Sequence, residues 1–328
     1  MNKNARNTLI AIGAVTVSAV GLSIAISRVL VDLAVRRDIK VNVPVKIQDK
    51  ISGGLKSDPR VKEIEEASEN ARNYETETVH IETDDGLNLT GHIRECEKPR
   101  RIIIAMHGWR SSWQMDFGST AQFYYDNDAI VLYADQRGQN DSDGEYIGLG
   151  VLECFDCLKW LDYMINRYGV GLPVYLLGVS MGASTVLMAS GSELPECVKG
   201  IIADCGFTSP KEIWNHILDN NLHLNGKITF PIVNRICKRI AQFEGDEYST
   251  ITALETNTKP VLFIHGSHDD FVPLKMTFDN YLACKANKEL LIVPGAGHGM
   301  SYITDSKAYE KAVLEFFLKC ENEKLWEE

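Results

Sequence analysis

Ser180 stands between Gly178 and Gly182 in the stretch VYLLGVSMGAS, residues 174–184. An apolar run leads into it and a helix-compatible run, ASTVLMAS, follows. A strand that turns at once into a helix forces the corner residue into a strained backbone, and the turn closes only if its neighbours lack bulk. Glycines two positions away on each side remove that bulk, so the corner side chain is held out above a sheet, where a nucleophile is of use. A serine hydroxyl is a weak nucleophile until a base accepts its proton. Of the eight histidines, His298 in PGAGHGM is best placed, following the last apolar strand in a glycine-rich loop. The base needs a carboxylate to fix its tautomer and stabilise the imidazolium. Asp269 in FIHGSHDDFVP is the first choice, with its neighbour Asp270 and with Asp204, after the GIIA strand, as rivals. The oxyanion formed in acyl transfer needs preorganised donors, and the backbone N–H groups of Trp109 and Met181 are the natural pair. Candidates to line the substrate site are His107, Trp109, Phe207 and Trp214, His107 serving also as a brace for the oxyanion loop.

These residues need a scaffold that brings distant loops to one edge. After a hairpin, ETVHIET and LNLTGHIREC joined at Asp85-Gly86, come six short apolar runs: RIIIAMHG, AIVLYADQRG, VYLLGVS, GIIADCG, PVLFIHG and KELLIVPGAG. Continuous apolar runs separated by helical stretches describe a mostly parallel sheet buried on both faces. The predicted class is therefore α/β, doubly wound, with about eight strands. Helices are predicted from Pro59 to about Asn73, and around 114–126, 150–168, 182–191, 273–286 and 305–320. In open parallel sheets ligands bind beyond the carboxyl ends of the strands, where every candidate above lies. About fifty residues between DCGFTS and PVLFIHG exceed a plain connection and are predicted to form a short helical cap, residues 208–258.

The chain has 328 residues, 45% of them hydrophobic and 24% charged, a globular composition. Its net charge of −11 is uneven: residues 1–40 carry six cations against Asp32 and Asp38, a net +4, leaving −15 for the remainder. An acidic main domain argues against a nucleic-acid partner. Residues 8–27 hold twenty residues without a charge, enough to cross a bilayer as a helix. They show no polar face, as a core helix would, and exceed the usual apolar core of a signal peptide. The expected division is a membrane anchor over 1–40, with the lipid bilayer as partner of residues 8–27; a linker and lead-in helix over 41–75; and a catalytic domain over 76–328. The flanking charges lean towards a cytoplasmic catalytic domain without fixing the side. Eight cysteines are scattered through predicted strands and helices, and Cys154 and Cys157 are spaced to face a core as free thiols.

The ordered motifs HGW, DQRG, GVSMG, GSHDDFVP and GAGHG resemble those of the α/β-hydrolase fold family over residues 76–320. Within it, the chain is similar to serine hydrolases related to acyl esterases and to the catalytic domains of prolyl-oligopeptidase-type peptidases, and to a bacterial subgroup with an N-terminal membrane segment. The resemblance implies Ser180 as nucleophile, Asp269 as acid, His298 as base, Trp109 and Met181 as oxyanion donors, and no cofactor or metal. It implies hydrolysis of a small-molecule ester or related acyl bond through an acyl-enzyme. A peptidase or amidase, an acyltransferase, and a non-catalytic binding protein on the same fold are the alternatives. Where many relatives read RGHG, this chain has Arg137, Gly138, Gln139 and Asn140, a departure expected to affect substrate fit.

Overall fold

The computed structural model describes residues 23–38 and 58–326. Eight strands form one sheet: β1 Glu77–Glu82, β2 Asn88–Arg94, β3 Arg101–Met106, β4 Ala129–Ala134, β5 Val174–Val179, β6 Val198–Asp204, β7 Val261–Gly266 and β8 Lys288–Val293. Their order is β1-β2-β4-β3-β5-β6-β7-β8; β1 and β2 are antiparallel, and β4 through β8 pair in parallel. Strands β3, β4, β5 and β7 are buried along their whole length, which is why they appear in the sequence as unbroken apolar runs. The β1–β2 turn closes at Gly86, whose φ of 83° suits a residue without Cβ.

Helices cover both faces. The helix Glu153–Tyr168 buries Cys154, Cys157, Trp160, Leu161 and Met164 on one side, so its two cysteines are core thiols. All eight cysteines are free. The helix Ser306–Glu321 buries Tyr309, Val313, Phe316, Phe317 and Cys320 in the second core layer. The helix predicted over 114–126 is two short helices, Trp113–Phe117 and Ala121–Asp126. The break falls at Gly118, where a Cβ would come within 2.9 Å of the Ala67 carbonyl on the helix Val61–Ala71.

Between β6 and β7 lie the helices Pro210–His216, Gly226–Ala241 and Thr250–Thr256, with a π-helical turn at Ile217–Asn221. Each α-helix starts at a side-chain cap: Ser209 accepts from Glu212 N, Asn225 from Ile228 N, and Ser249 from Thr252 N.

Residues 8–22 of the expected anchor and the linker 41–57 lie outside the described residues. Among the described residues no helix is long and apolar enough to cross a membrane. Residues 23–35 form a helix that buries Ser27, Leu30, Val31, Leu33 and Val35. The Val35 carbonyl accepts from Ile147 N at 2.6 Å, and Arg37 N donates to the Glu145 carbonyl at 2.8 Å. Residues 23–38 therefore pack into the same core as the sheet, a difference from the division expected at residue 40.

Candidate active site

Strand β5 ends at Val179 and the helix Met181–Ala189 begins two residues later, leaving Ser180 alone at the corner with φ 56° and ψ −117°. This is a left-handed conformation that costs a residue with a Cβ roughly 1–3 kcal/mol. It is held by the Ser180 N–H donating to the Asp204 carbonyl at 2.8 Å and by the closure of the turn around it. A Cβ on Gly182 would lie 1.8 Å from the Met106 carbonyl, and one on Gly178 would lie 2.1 Å from the Gly182 carbonyl. No side chain fits at either place, so the glycine spacing is a steric requirement of the corner.

The loop after β8 brings His298 over this corner, with Nε2 2.8 Å from Ser180 Oγ and Nδ1 2.7 Å from Asp269 Oδ2. A carboxylate can only accept, so the hydrogen is on Nδ1, and Nε2 is left to accept from the serine hydroxyl. The loop after β7 holds Asp269 firmly: Oδ1 accepts from Phe271 N at 2.9 Å and from Val272 N at 2.8 Å. Burial pushes this carboxyl up, but attraction to His298 and hydrogen bonds from His265 and His298 outweigh it and hold the group well below the usual range. Burial likewise pushes the His298 imidazole down, while Asp269 first and then Asp204 and Asp116 raise it, with a net shift upward.

The structure separates the three candidate acids. Asp269 alone bonds to His298; Asp270 is exposed, and Asp204 accepts from Ser301 Oγ at 3.0 Å, behind the histidine loop. The backbone N–H groups of Trp109 and Met181 donate to no acceptor among the described residues; Met181 directly follows Ser180, and Trp109 directly follows Gly108. Gly108 lets them approach, since a Cβ there would stand 3.3 Å from Ser180 Cβ and 3.1 Å from Asp116 Oδ2. A nucleophile hydrogen-bonded to an oriented base beside two unengaged N–H groups is an arrangement for acyl transfer.

Residues 115–324 match the prolyl oligopeptidase family, well over half of the chain. The chain belongs to the prolyl oligopeptidase family. It is a serine hydrolase of the α/β-hydrolase fold. Uncharacterized protein YqkD of Bacillus subtilis is 28% identical over 232 residues, 70% of this chain and 75% of that one. Uncharacterized protein YfhR of Salmonella typhimurium is 24% identical over 68% of this chain and 75% of its own. Among solved structures, the Pyrococcus furiosus esterase Pf2001 superposes with a TM-score of 0.63 at 19% identity, covering 76% of this chain and 93% of that one. The ferulic acid complex of Est1E from Butyrivibrio proteoclasticus gives 0.55 at 20% identity, over 74% and 98%. Pyrococcus horikoshii acylaminoacyl peptidase gives 0.55 at 16%, covering 75% of this chain and 41% of that chain. At these identities the superpositions establish the shared fold.

For this member of the prolyl oligopeptidase family, the surroundings of the expected lining residues differ. His107 is fully buried and cannot touch substrate. Gln136 N donates to its Nε2 at 3.1 Å, so Nδ1 carries the hydrogen and donates to the Gly108 carbonyl at 2.7 Å; it braces the oxyanion loop. Trp109 is half-buried, and its Nε1–H donates to the Ala34 carbonyl at 2.6 Å. Phe207 and Trp214 are buried members of the core cluster. The segment 137–140 contacts the turn that follows β3. Gln139 Oε1 accepts from Arg110 N at 2.5 Å and Asn140 Nδ2 donates to the Ser111 carbonyl at 2.9 Å, so it supports the oxyanion turn.

Three further residues were missed from sequence. Phe271 packs edge-on against His298 at 4.9 Å between ring centroids. His265 is the second histidine on Asp269, and Asp116 Oδ2 accepts from Gly108 N at 2.5 Å. The position of His265 at the end of a buried strand was the only available signal; Asp116 carried none. Cys205 groups with Asp269 and His298 within 4.8 Å. Burial first, then Asp204 and Asp269, push its thiol well above the ordinary value, whereas a metal ligand would need the thiolate.

Proposed function

We propose that the protein is a carboxylesterase-type hydrolase in which Ser180, His298 and Asp269 form the catalytic triad. The observation that carries this reading is the unbroken hydrogen-bonded chain from Ser180 Oγ through the His298 ring to Asp269. Ser180 Oγ attacks the substrate carbonyl carbon as its proton passes to His298 Nε2. The carbonyl oxygen becomes an oxyanion and accepts from the N–H groups of Trp109 and Met181. Collapse of the tetrahedral adduct breaks the bond to the leaving alkoxide, which takes the proton from His298. Water then adds to the acyl-enzyme with His298 again as base, and the acid leaves as Ser180 regains its proton. Asp269 stays ionised throughout, consistent with its lowered pKa.

Esters are the substrate class we favour, supported by the similarity to the Pyrococcus furiosus esterase and to Est1E. The family and the acylaminoacyl peptidase neighbours favour a second reading, amide bonds at the same triad. The deciding assay uses p-nitrophenyl esters from acetyl to palmitoyl, with Ser180→Ala beside the parent. Hydrolysis that disappears in the variant, by several orders of magnitude in kcat with an unchanged melting temperature, is the expected result. Undiminished hydrolysis by Ser180→Ala removes the mechanism. Silence on every ester, with Ser180 labelled by a fluorophosphonate, turns the assignment to amides.

Membrane anchoring through the uncharged stretch 8–27 belongs to the same proposal. The test is sedimentation of the full chain with membranes after an alkaline carbonate wash. Release into the supernatant would count against anchoring.

A further inference from the structure

We propose that residues 23–38 are part of the catalytic apparatus, holding the oxyanion turn in its working shape through Trp109 and Arg110. The inference rests on the reading above, in which the Trp109 N–H serves the oxyanion.

The turn after β3 has two halves. The first, His107 and Gly108, is braced from within the sheet domain by Gln136 and Asp116. The second, Trp109 and Arg110, is held at the Arg110 backbone N–H by Gln139 and, through both side chains, by the N-terminal segment. Arg110 has φ 52°, a left-handed conformation that a residue with a Cβ keeps only where its surroundings impose it. Its guanidinium adds to the constraint that Gln139 places on its N–H: Nε donates to the Leu33 carbonyl at 3.1 Å, Nη1 to the Arg37 carbonyl at 3.2 Å, and Nη2 to the Arg36 carbonyl. These carbonyls lie at and just beyond the carboxyl end of the helix 23–35. Helix geometry leaves such groups without intrahelical partners, and the helix dipole favours a cation there. Arg110 therefore caps this helix from the far side of the chain.

Trp109 makes the second attachment, its indole N–H on the Ala34 carbonyl at 2.6 Å. The third runs the other way. The Arg37 guanidinium donates to the Asn140 carbonyl at 2.5 Å and to the Ser142 carbonyl, while Asn140 Nδ2 returns to the Ser111 carbonyl at 2.9 Å. The turn is thus enclosed between the N-terminal segment and the 137–142 loop. The segment can bear this because its own inner face, Leu30, Val31 and Val35, is buried in the core. Trp109 and Arg110 act as positioning residues through their side chains, while the Trp109 backbone N–H is the group that meets the oxyanion.

The test uses the full chain carrying Arg110→Met, which keeps the aliphatic length without donors, and Trp109→Phe, which keeps an aromatic ring without the N–H. For each, kcat is measured per active site titrated with a fluorophosphonate, together with KM, the second-order labelling rate, and the affinity of an aliphatic trifluoromethyl ketone. The ketone adds to Ser180 as a tetrahedral oxyanion mimic. The expected result is kcat per titrated site lower by about 10- to 100-fold, below the 10²–10³ of deleting a donor outright. KM stays within about twofold, and the ketone affinity falls in step with kcat/KM. A purely structural role would reduce the titratable fraction and leave kcat per site and ketone affinity unchanged; that result overturns the inference. If Arg110→Met does not fold, Trp109→Phe and Arg110→Lys carry the same comparison. A parent that labels but cleaves no ester is judged by the labelling rate, a slower variant supporting the inference and an equal one overturning it. A parent that neither labels nor cleaves overturns the hydrolase reading and this inference with it.

Discussion

His265 Nε2 lies 3.2 Å from Asp269 Oδ2, the same carboxylate oxygen that accepts from His298 at 2.7 Å. His265 Nε2 also faces the Val272 carbonyl at 3.0 Å, so this nitrogen carries the hydrogen, and Nδ1 accepts from Thr277 Oγ1 at 2.6 Å. Asp269 is therefore held by two backbone N–H groups on one oxygen and two imidazoles on the other. His265→Phe keeps the ring volume and removes one of those donors. The expected outcome is a kcat lower by about tenfold with KM unchanged, a fraction of the 10²–10⁴ that positioned acid–base catalysis supplies. Steady-state kinetics on the best ester checks it, and an unchanged kcat would mean that His298 and the backbone suffice to orient the carboxylate.

The pH profile should carry the mark of the buried acids behind the triad. His298 must be neutral to accept the serine proton, and its net shift is upward, so the acid limb of kcat/KM should fall above the ordinary imidazole value of about 6.5. Asp204 contributes to that rise. Asp204→Asn, which can still accept from Ser301, should move the limb to lower pH. The same variant has a stability signature of opposite origin. Burial, against the Ser301 hydrogen bond and the two histidines, pushes Asp204 up to about 6. The folded state holds this proton more tightly than the unfolded chain, so wild-type stability falls as pH rises from about 4 to about 6. Asp204→Asn should gain up to about 3 kcal/mol over wild type above pH 6, and none below pH 4. Urea unfolding at pH 4 and pH 8 measures the difference, and equal gains at both would exclude titration as the cause.

Arg137 offers a comparison of a buried and an exposed ion pair on one guanidinium. Its Nε and Nη2 both bond Asp156 at 2.6 Å, where the two side chains are 6% and 2% exposed; Nη1 reaches Asp85, 57% exposed, at 2.8 Å. Removing one partner of a buried pair leaves an uncompensated charge, so Asp156→Ala should cost about 3–5 kcal/mol. Solvent already screens the other pair, and Asp85→Ala should cost less than about 1 kcal/mol. Denaturant melts of both variants, with kcat per titrated site unchanged, would bear this out; equal costs would not.

The amino-acid sequence by itself determined the parts of this protein that depend on local order. The buried strands are legible because both faces are covered, and the elbow because only glycine fits two residues either side of Ser180. His298 follows because it lies in the glycine-rich loop after the last strand. The tertiary structure decided what local order cannot carry. Asp204 ends β6, and Asp269 and Asp270 follow β7; only the packing of the β7 and β8 loops brings His298 to Asp269 and Ser301 to Asp204. Such loops have no period from which a side-chain direction can be read. Likewise, local order does not show what the Trp109 indole bonds. Its partner is the Ala34 carbonyl, seventy-five positions away, on a helix whose Leu30, Val31 and Val35 pack into the core of the sheet domain.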